Sequence, residues 1–145
     1  MIAVDTNLLV YAHRTDSEWH EPALRVLKDL AEGTAPWAIP WPCVHEFLAV
    51  TTHPRIYVPP TPLATALEAM RVWIEAPGCR LLGEGPGFFD LLRQMASAHQ
   101  VSGPLVHDLR IAAICLHHGV SQLWTLDRDF SRFTGLKTFN PLAAR

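Results

Sequence analysis

Four acidic side chains stand out by where they fall. Asp5 directly follows the short apolar run Ile2-Ala3-Val4, and Asp127 lies just past Leu123-Trp124-Thr125. Asp108 opens an apolar stretch from Val106 to His118, and Glu46 sits among Val44, Phe47 and Leu48. Carboxylates gathered in one cleft repel each other and are tolerated only if protons or cations neutralise them. Hard divalent cations such as Mg²⁺ and Mn²⁺ take oxygen ligands, and a carboxylate-held metal can activate water and stabilise a phosphoryl transition state. The chemistry open to this set is phosphodiester hydrolysis. Read singly, each acid also has an ordinary structural use. Asp5 and Asp108 could cap helices, Asp127 and Asp129 could be solvated turn acids, and Glu46 could face solvent as its helix rotates.

The elements that must position these acids follow from the apolar pattern. Ile2 to Val4, Trp37 to Ile39, Arg80 to Leu82 and Gln122 to Thr125 read as short buried strands, with Leu136 to Phe139 as an edge strand. Helices are expected over Asn7 to His13 and from a Ser17 cap to Gly33. Pro42 suits the first turn of a helix carrying Glu46, and Thr61-Pro62 reads as the capped start of a helix buried through Leu63, Leu67, Met70 and Ile74. Pro86 to His99 should bury Phe89, Leu92 and Met95, and Val106 to His118 should be buried nearly all round and stopped by Gly119. Asp127 to Phe133 reads as a turn or short helix. Strands alternating with helices imply an α/β domain with a short, mostly parallel sheet of four to five strands flanked by helices. Ligands in such sheets bind beyond the carboxyl ends of the strands, which is where Asp5 and Asp127 fall.

Composition narrows the classes. One domain is expected over residues 1–145, with 49% hydrophobic and 18% charged residues. The net charge of -2 lacks the basic footprint of a DNA-binding domain, so a nucleic-acid site must be local and metal-assisted. The cations are ten Arg against Lys28 and Lys137, and a guanidinium is the better fork for phosphate. Cys43, Cys79 and Cys115 are odd in number and widely spaced, which fits a reducing compartment. His117 and His118 are adjacent and diverge on a helix, so they form no zinc motif; His45 and His107 read as packing or surface residues. The N-terminus shows no signal-peptide pattern, and no apolar run approaches the ~20 residues of a membrane span. A cytoplasmic protein without membrane attachment is expected.

In order along the chain, Val4-Asp5-Thr6-Asn7-Leu8-Leu9, Pro42-Cys43-Val44-His45-Glu46-Phe47, His107-Asp108-Leu109-Arg110-Ile111-Ala112-Ala113 and Leu123-Trp124-Thr125-Leu126-Asp127-Arg128-Asp129-Phe130 resemble the four motifs of PIN domains. Each motif alone is weak; the ordered set is specific. Length and the Thr52-His53-Pro54-Arg55-Ile56-Tyr57 segment make the chain most similar to the VapC-type toxins of bacterial toxin–antitoxin pairs. The resemblance implies a PIN fold and a Mg²⁺- or Mn²⁺-dependent ribonuclease acting on structured RNA such as tRNA or rRNA. It also implies a cognate VapB-type antitoxin and a homodimer. It assigns catalysis and metal binding to Asp5, Glu46, Asp108 and Asp127, with Thr6, Asn7, Thr125 and Asp129 in support. A haloacid-dehalogenase-like phosphatase would need a second Asp where this chain has Asn7. A non-catalytic PIN scaffold would be expected to lack acids that are present here. A flavodoxin-like receiver would need an acidic pair and a Lys arranged differently.

Overall fold

The computed structural model describes residues 1–143; of the expected domain, residues 144 and 145 lie outside the described part. Five strands form one parallel sheet in the order β3-β2-β1-β4-β5. The strands are β1 (Ile2–Val4), β2 (Trp37–Pro40), β3 (Cys79–Leu82), β4 (Gln122–Trp124) and β5 (Thr138–Phe139). Six helices flank it: α1 (Thr6–His13), α2 (His20–Glu32), α3 (Trp41–Thr51), α4 (Leu63–Ile74), α5 (Phe88–Ala98) and α6 (Leu105–His117). A 3-10 helix, Arg128–Arg132, joins β4 towards β5.

The central strands are apolar because both faces are covered, as parallel sheets require. All four residues of β2 are buried, as are Ala3, Val4 and Leu123. Trp37, Phe47, Phe130, Phe133, Leu8 and Leu9 are the largest side chains of this core. Helix α6 is buried through Leu109 and the unbroken run Ile111 to Cys115. It ends where Gly119 takes φ +68°, a left-handed geometry that glycine adopts at no steric cost.

Three helix starts differ from the sequence pattern. Helix α2 begins at His20, because the Ser17 hydroxyl accepts the Trp19 N–H in a turn that precedes the helix. Helix α4 begins at Leu63, after Pro62, and Thr61 does not cap it. The Thr61 hydroxyl instead accepts from Arg14 Nη1 (3.1 Å), and its N–H donates to the Thr51 carbonyl (2.8 Å). That anchored entry turns Ala66 and Met70 inward and leaves Leu63 and Leu67 exposed. Helix α5 begins at Phe88, because Gly87 takes φ +82°. Phe88 is therefore buried and Phe89 is 72% exposed.

Candidate metal and nucleic-acid site

All the motif acids lie at the carboxyl end of the sheet. Asp5 follows β1, and its N–H donates to the Trp124 carbonyl of β4 (3.0 Å), locking it to the neighbouring strand. It is also the N-cap of α1: its Oδ1 accepts the Thr6 N–H at 2.8 Å. The capping use and the site use thus coincide in one residue. The Thr125 hydroxyl donates to Asp5 Oδ2 at 2.7 Å, and the Cys43 thiol lies 3.7 Å from Oδ1 as a weak donor.

Thr125 is the hub of this end of the sheet. Its oxygen accepts the Asp127 N–H (2.9 Å) and the Asn7 side-chain amide (3.5 Å) while its hydroxyl serves Asp5. Asp127 in turn caps the 3-10 helix, accepting the Asp129 N–H on Oδ1 (2.8 Å). A chain of hydrogen bonds therefore runs Asp5–Thr125–Asp127–Asp129 from the buried floor to the surface.

Asp108, Asp127 and Asp129 each offer a carboxylate oxygen within 4.8 Å of the others. Asp108 lies in the first turn of α6, whose N-cap is Pro104, so it is not the cap. Its position still lets the helix dipole favour its charged form. Asp5 and Glu46 stand outside the trio. Glu46 is exposed, because on α3 it is Cys43, Val44 and Phe47 that turn into the core. Its apolar sequence neighbours are no sign of burial.

The electrostatics tie these groups into one field. Burial pushes the Asp5 carboxyl up to about 6 from an ordinary 3.8, opposed by the bonds from Thr125 and Thr6 and assisted by the charges of Glu46 and Asp127. The Asp108 carboxyl is also raised, first by burial and then by Asp127, Asp129 and Glu46, with Arg132 opposing. Arg132 and Cys43 belong to this environment, and the sequence pattern gives neither a role. The signal for Cys43 is its spacing: four residues before Phe47 puts it on the same, inward face of α3.

The donor set suits a hard cation. Carboxylates and amide or hydroxyl oxygens gather here, and the trio contains neither His nor Cys. Asn7 Oδ1 and Thr6 Oγ1, beside Asp5 in the chain, are buried without a hydrogen-bond partner among the described residues. Buried oxygens are rarely left so in a finished site, and a bound cation or its hydration shell would satisfy them. The described residues can therefore hold a divalent cation.

Known proteins agree with this fold. The PIN domain family model matches residues 2–136. Ribonuclease VapC48 of Mycobacterium tuberculosis is 30% identical over 139 residues, spanning 96% of both chains. Ribonuclease VapC43 of the same organism is 33% identical over 142 residues, spanning 98% of this chain and 96% of that one. The solved VapBC2 complex of Rickettsia felis, bound to a DNA fragment from its promoter, superposes with a TM-score of 0.69 at 17% identity, covering 97% of this chain and 98% of that one. That likeness speaks for the fold alone; the family match over residues 2–136 is what sets aside the phosphatase and receiver alternatives. With its four motifs brought to one end of a five-stranded parallel sheet, the chain belongs to the PIN-domain family, among the VapC-type proteins.

Proposed function

We propose that the chain is a Mg²⁺- or Mn²⁺-dependent endoribonuclease toxin, cutting RNA such as tRNA or rRNA to leave 5′-phosphate and 3′-hydroxyl ends. The observation that carries this reading is the Asp108–Asp127–Asp129 trio seated above the buried Asp5 in a chain related to ribonucleases. A cation held there would supply Lewis acidity to the scissile phosphate. Asp108, Asp127 and Asp129 would hold it, and Asp5 would brace the floor of the site through Thr125. The attacking group would be a water at this site, as hydrolysis to a 5′-phosphate requires. Glu46, on the rim of the cleft, would orient that water. Thr6 and Asn7 would complete the oxygen shell.

The biological half of the reading is an antitoxin of the VapB type. It would neutralise the acidic cleft with a basic side chain, most simply an Arg, because uncompensated carboxylates attract a guanidinium. The VapBC2 complex of Rickettsia felis is the structural precedent. No helix among the described residues is long and apolar enough to cross a membrane; a cytoplasmic, homodimeric toxin is the form we propose.

The test is product chemistry. EDTA should stop cleavage and Mg²⁺ or Mn²⁺ should restore it. The new ends should be 5′-phosphate and 3′-hydroxyl, and a 2′-deoxy substitution at the cut should leave the chemistry intact. A 2′,3′-cyclic phosphate, or cutting by purified protein in EDTA, would refute the metal site.

A further inference from the structure

Beyond the carboxyl ends of β4 and β5 lies a pocket of about 310 Å³ lined by Thr125, Asp127, Arg128, Ser131, Thr138 and Asn140. It shares Thr125 and Asp127 with the acidic site, so a ligand seated in it abuts the carboxylates. We propose that this pocket binds the nucleotide next to the scissile phosphate, with Arg128 on a phosphate oxygen and the Asn140 amide reading the base. The proposal rests on the nuclease reading above and says which part of the chain grips the RNA.

Charge makes the argument. A cleft of four or more carboxylates repels a polyanion, and the chain's net charge of -2 gives no general attraction. A cation beside the acids must offset that field. Arg132 already acts against Asp108. Arg110 is paired with Glu84 at 2.6 Å. Arg128 is exposed and, among the described residues, forms no ion pair, although Asp127 and Asp129 flank it in sequence. Its guanidinium is free to fork a phosphate.

Asn140 supplies the second handle. Its Oδ1 is already taken by the Leu142 N–H (2.9 Å), which fixes the side chain and leaves its NH₂, among the described residues, without an acceptor. A fixed amide presented in a partly apolar pocket is the kind of group that distinguishes one base edge from another. The Ser131 hydroxyl, by contrast, donates to the Arg128 carbonyl (2.7 Å) and shapes the turn instead.

The experiment compares Arg128→Ala, Asn140→Asp and the control Lys137→Ala. Lys137 is exposed and, although it adjoins Thr138, does not itself line the pocket, and its loss changes net charge equally. Asn140→Asp keeps an oxygen for the Leu142 N–H but turns the donor into a second, charged acceptor, so it is read by base preference at the cut and not by affinity. Two substrates are used: a random-sequence single-stranded RNA pool, and bis(p-nitrophenyl) phosphate, a diester with no flanking nucleotide. Arg128→Ala should raise KM for RNA roughly tenfold with kcat nearly unchanged, the loss expected for one charged hydrogen bond. Hydrolysis of the small diester should not change. Asn140→Asp should alter base preference at a single position beside the mapped cuts. If Arg128→Ala matches Lys137→Ala on RNA, or Asn140→Asp leaves the preference unchanged, the pocket is not the nucleotide subsite, and the nuclease reading survives. If wild-type protein with Mn²⁺ cuts neither substrate, the nuclease reading fails and takes the subsite with it.

Discussion

Replacing Asp5 by Asn should stabilise the metal-free protein at neutral and alkaline pH while abolishing activity. The magnitude follows from its burial. A carboxyl raised from 3.8 to about 6 holds its proton more tightly in the folded chain than in the unfolded one. That contribution is fully present below the unfolded value of 3.8 and is lost as pH rises through about 6. The loss amounts to about 3 kcal/mol above about pH 7. The amide of the Asp5→Asn variant cannot ionise, but its NH₂ meets the Thr125 hydroxyl in place of an accepting oxygen, a disturbance of about 1 kcal/mol. The variant should therefore gain about 2 kcal/mol over wild type near pH 8 and nothing, or a small deficit, near pH 4. Urea unfolding in EDTA across that range measures the difference. Adding Mn²⁺ should stabilise the wild type by about 2.7 kcal/mol at a hundredfold excess over Kd, and the variant less. A difference between the two proteins that stays flat from about pH 4 to about pH 8 would show that Asp5 does not carry the strained charge assigned to it.

Thr125→Val removes the donor to Asp5 and the acceptor of the Asp127 N–H together. Metal-supported cleavage should fall by about tenfold to a hundredfold, with Thr125→Ser retaining most of it; equal loss in Val and Ser would point to packing rather than hydrogen bonding. Arg14→Met should cost about 2 kcal/mol without touching the site. Its guanidinium bonds Asp16 (2.7 Å), the Pro59 carbonyl (3.0 Å) and Thr61 (3.1 Å) and stacks 4.3 Å above the Tyr57 ring. A thermal midpoint within error of wild type would show that this latch holds nothing.

Where the motif acids fall in the fold is legible in the sequence, because they follow short apolar strands or open a helix buried almost all round, features that leave few alternatives. The helix faces on the other flank are not. Helix α4 carries Leu63, Leu67, Met70 and Val72, more apolar residues than one face needs, so periodicity alone does not fix its phase. The phase is set by Thr61, held by Thr51 and Arg14, contacts distant in sequence. In α5 one backbone angle at Gly87 decides that Phe88 rather than Phe89 is inside. In sequence Asp129 reads as a turn acid, and the family resemblance gives it only a supporting role. The turn that brings its carboxylate to Asp108 is fixed by Asp127 capping the 3-10 helix. Glu46 shows the converse: its apolar neighbours suggest burial, and helical rotation leaves it in solvent.

The pairing of β1 with β4 has a consequence for the order of events during synthesis. The strand at the middle of the sheet is made before the other four, yet its register partners Gln122, Leu123 and Trp124 follow about 120 residues later. Until they emerge, β1 lacks a neighbour on one side, and Asp5 lacks the Trp124 carbonyl and the Thr125 hydroxyl that hold it. Closing so long a loop is entropically slow. The same late segment carries Asp127 and Asp129, so a nascent or truncated polypeptide has neither a finished sheet nor the full set of ligating oxygens.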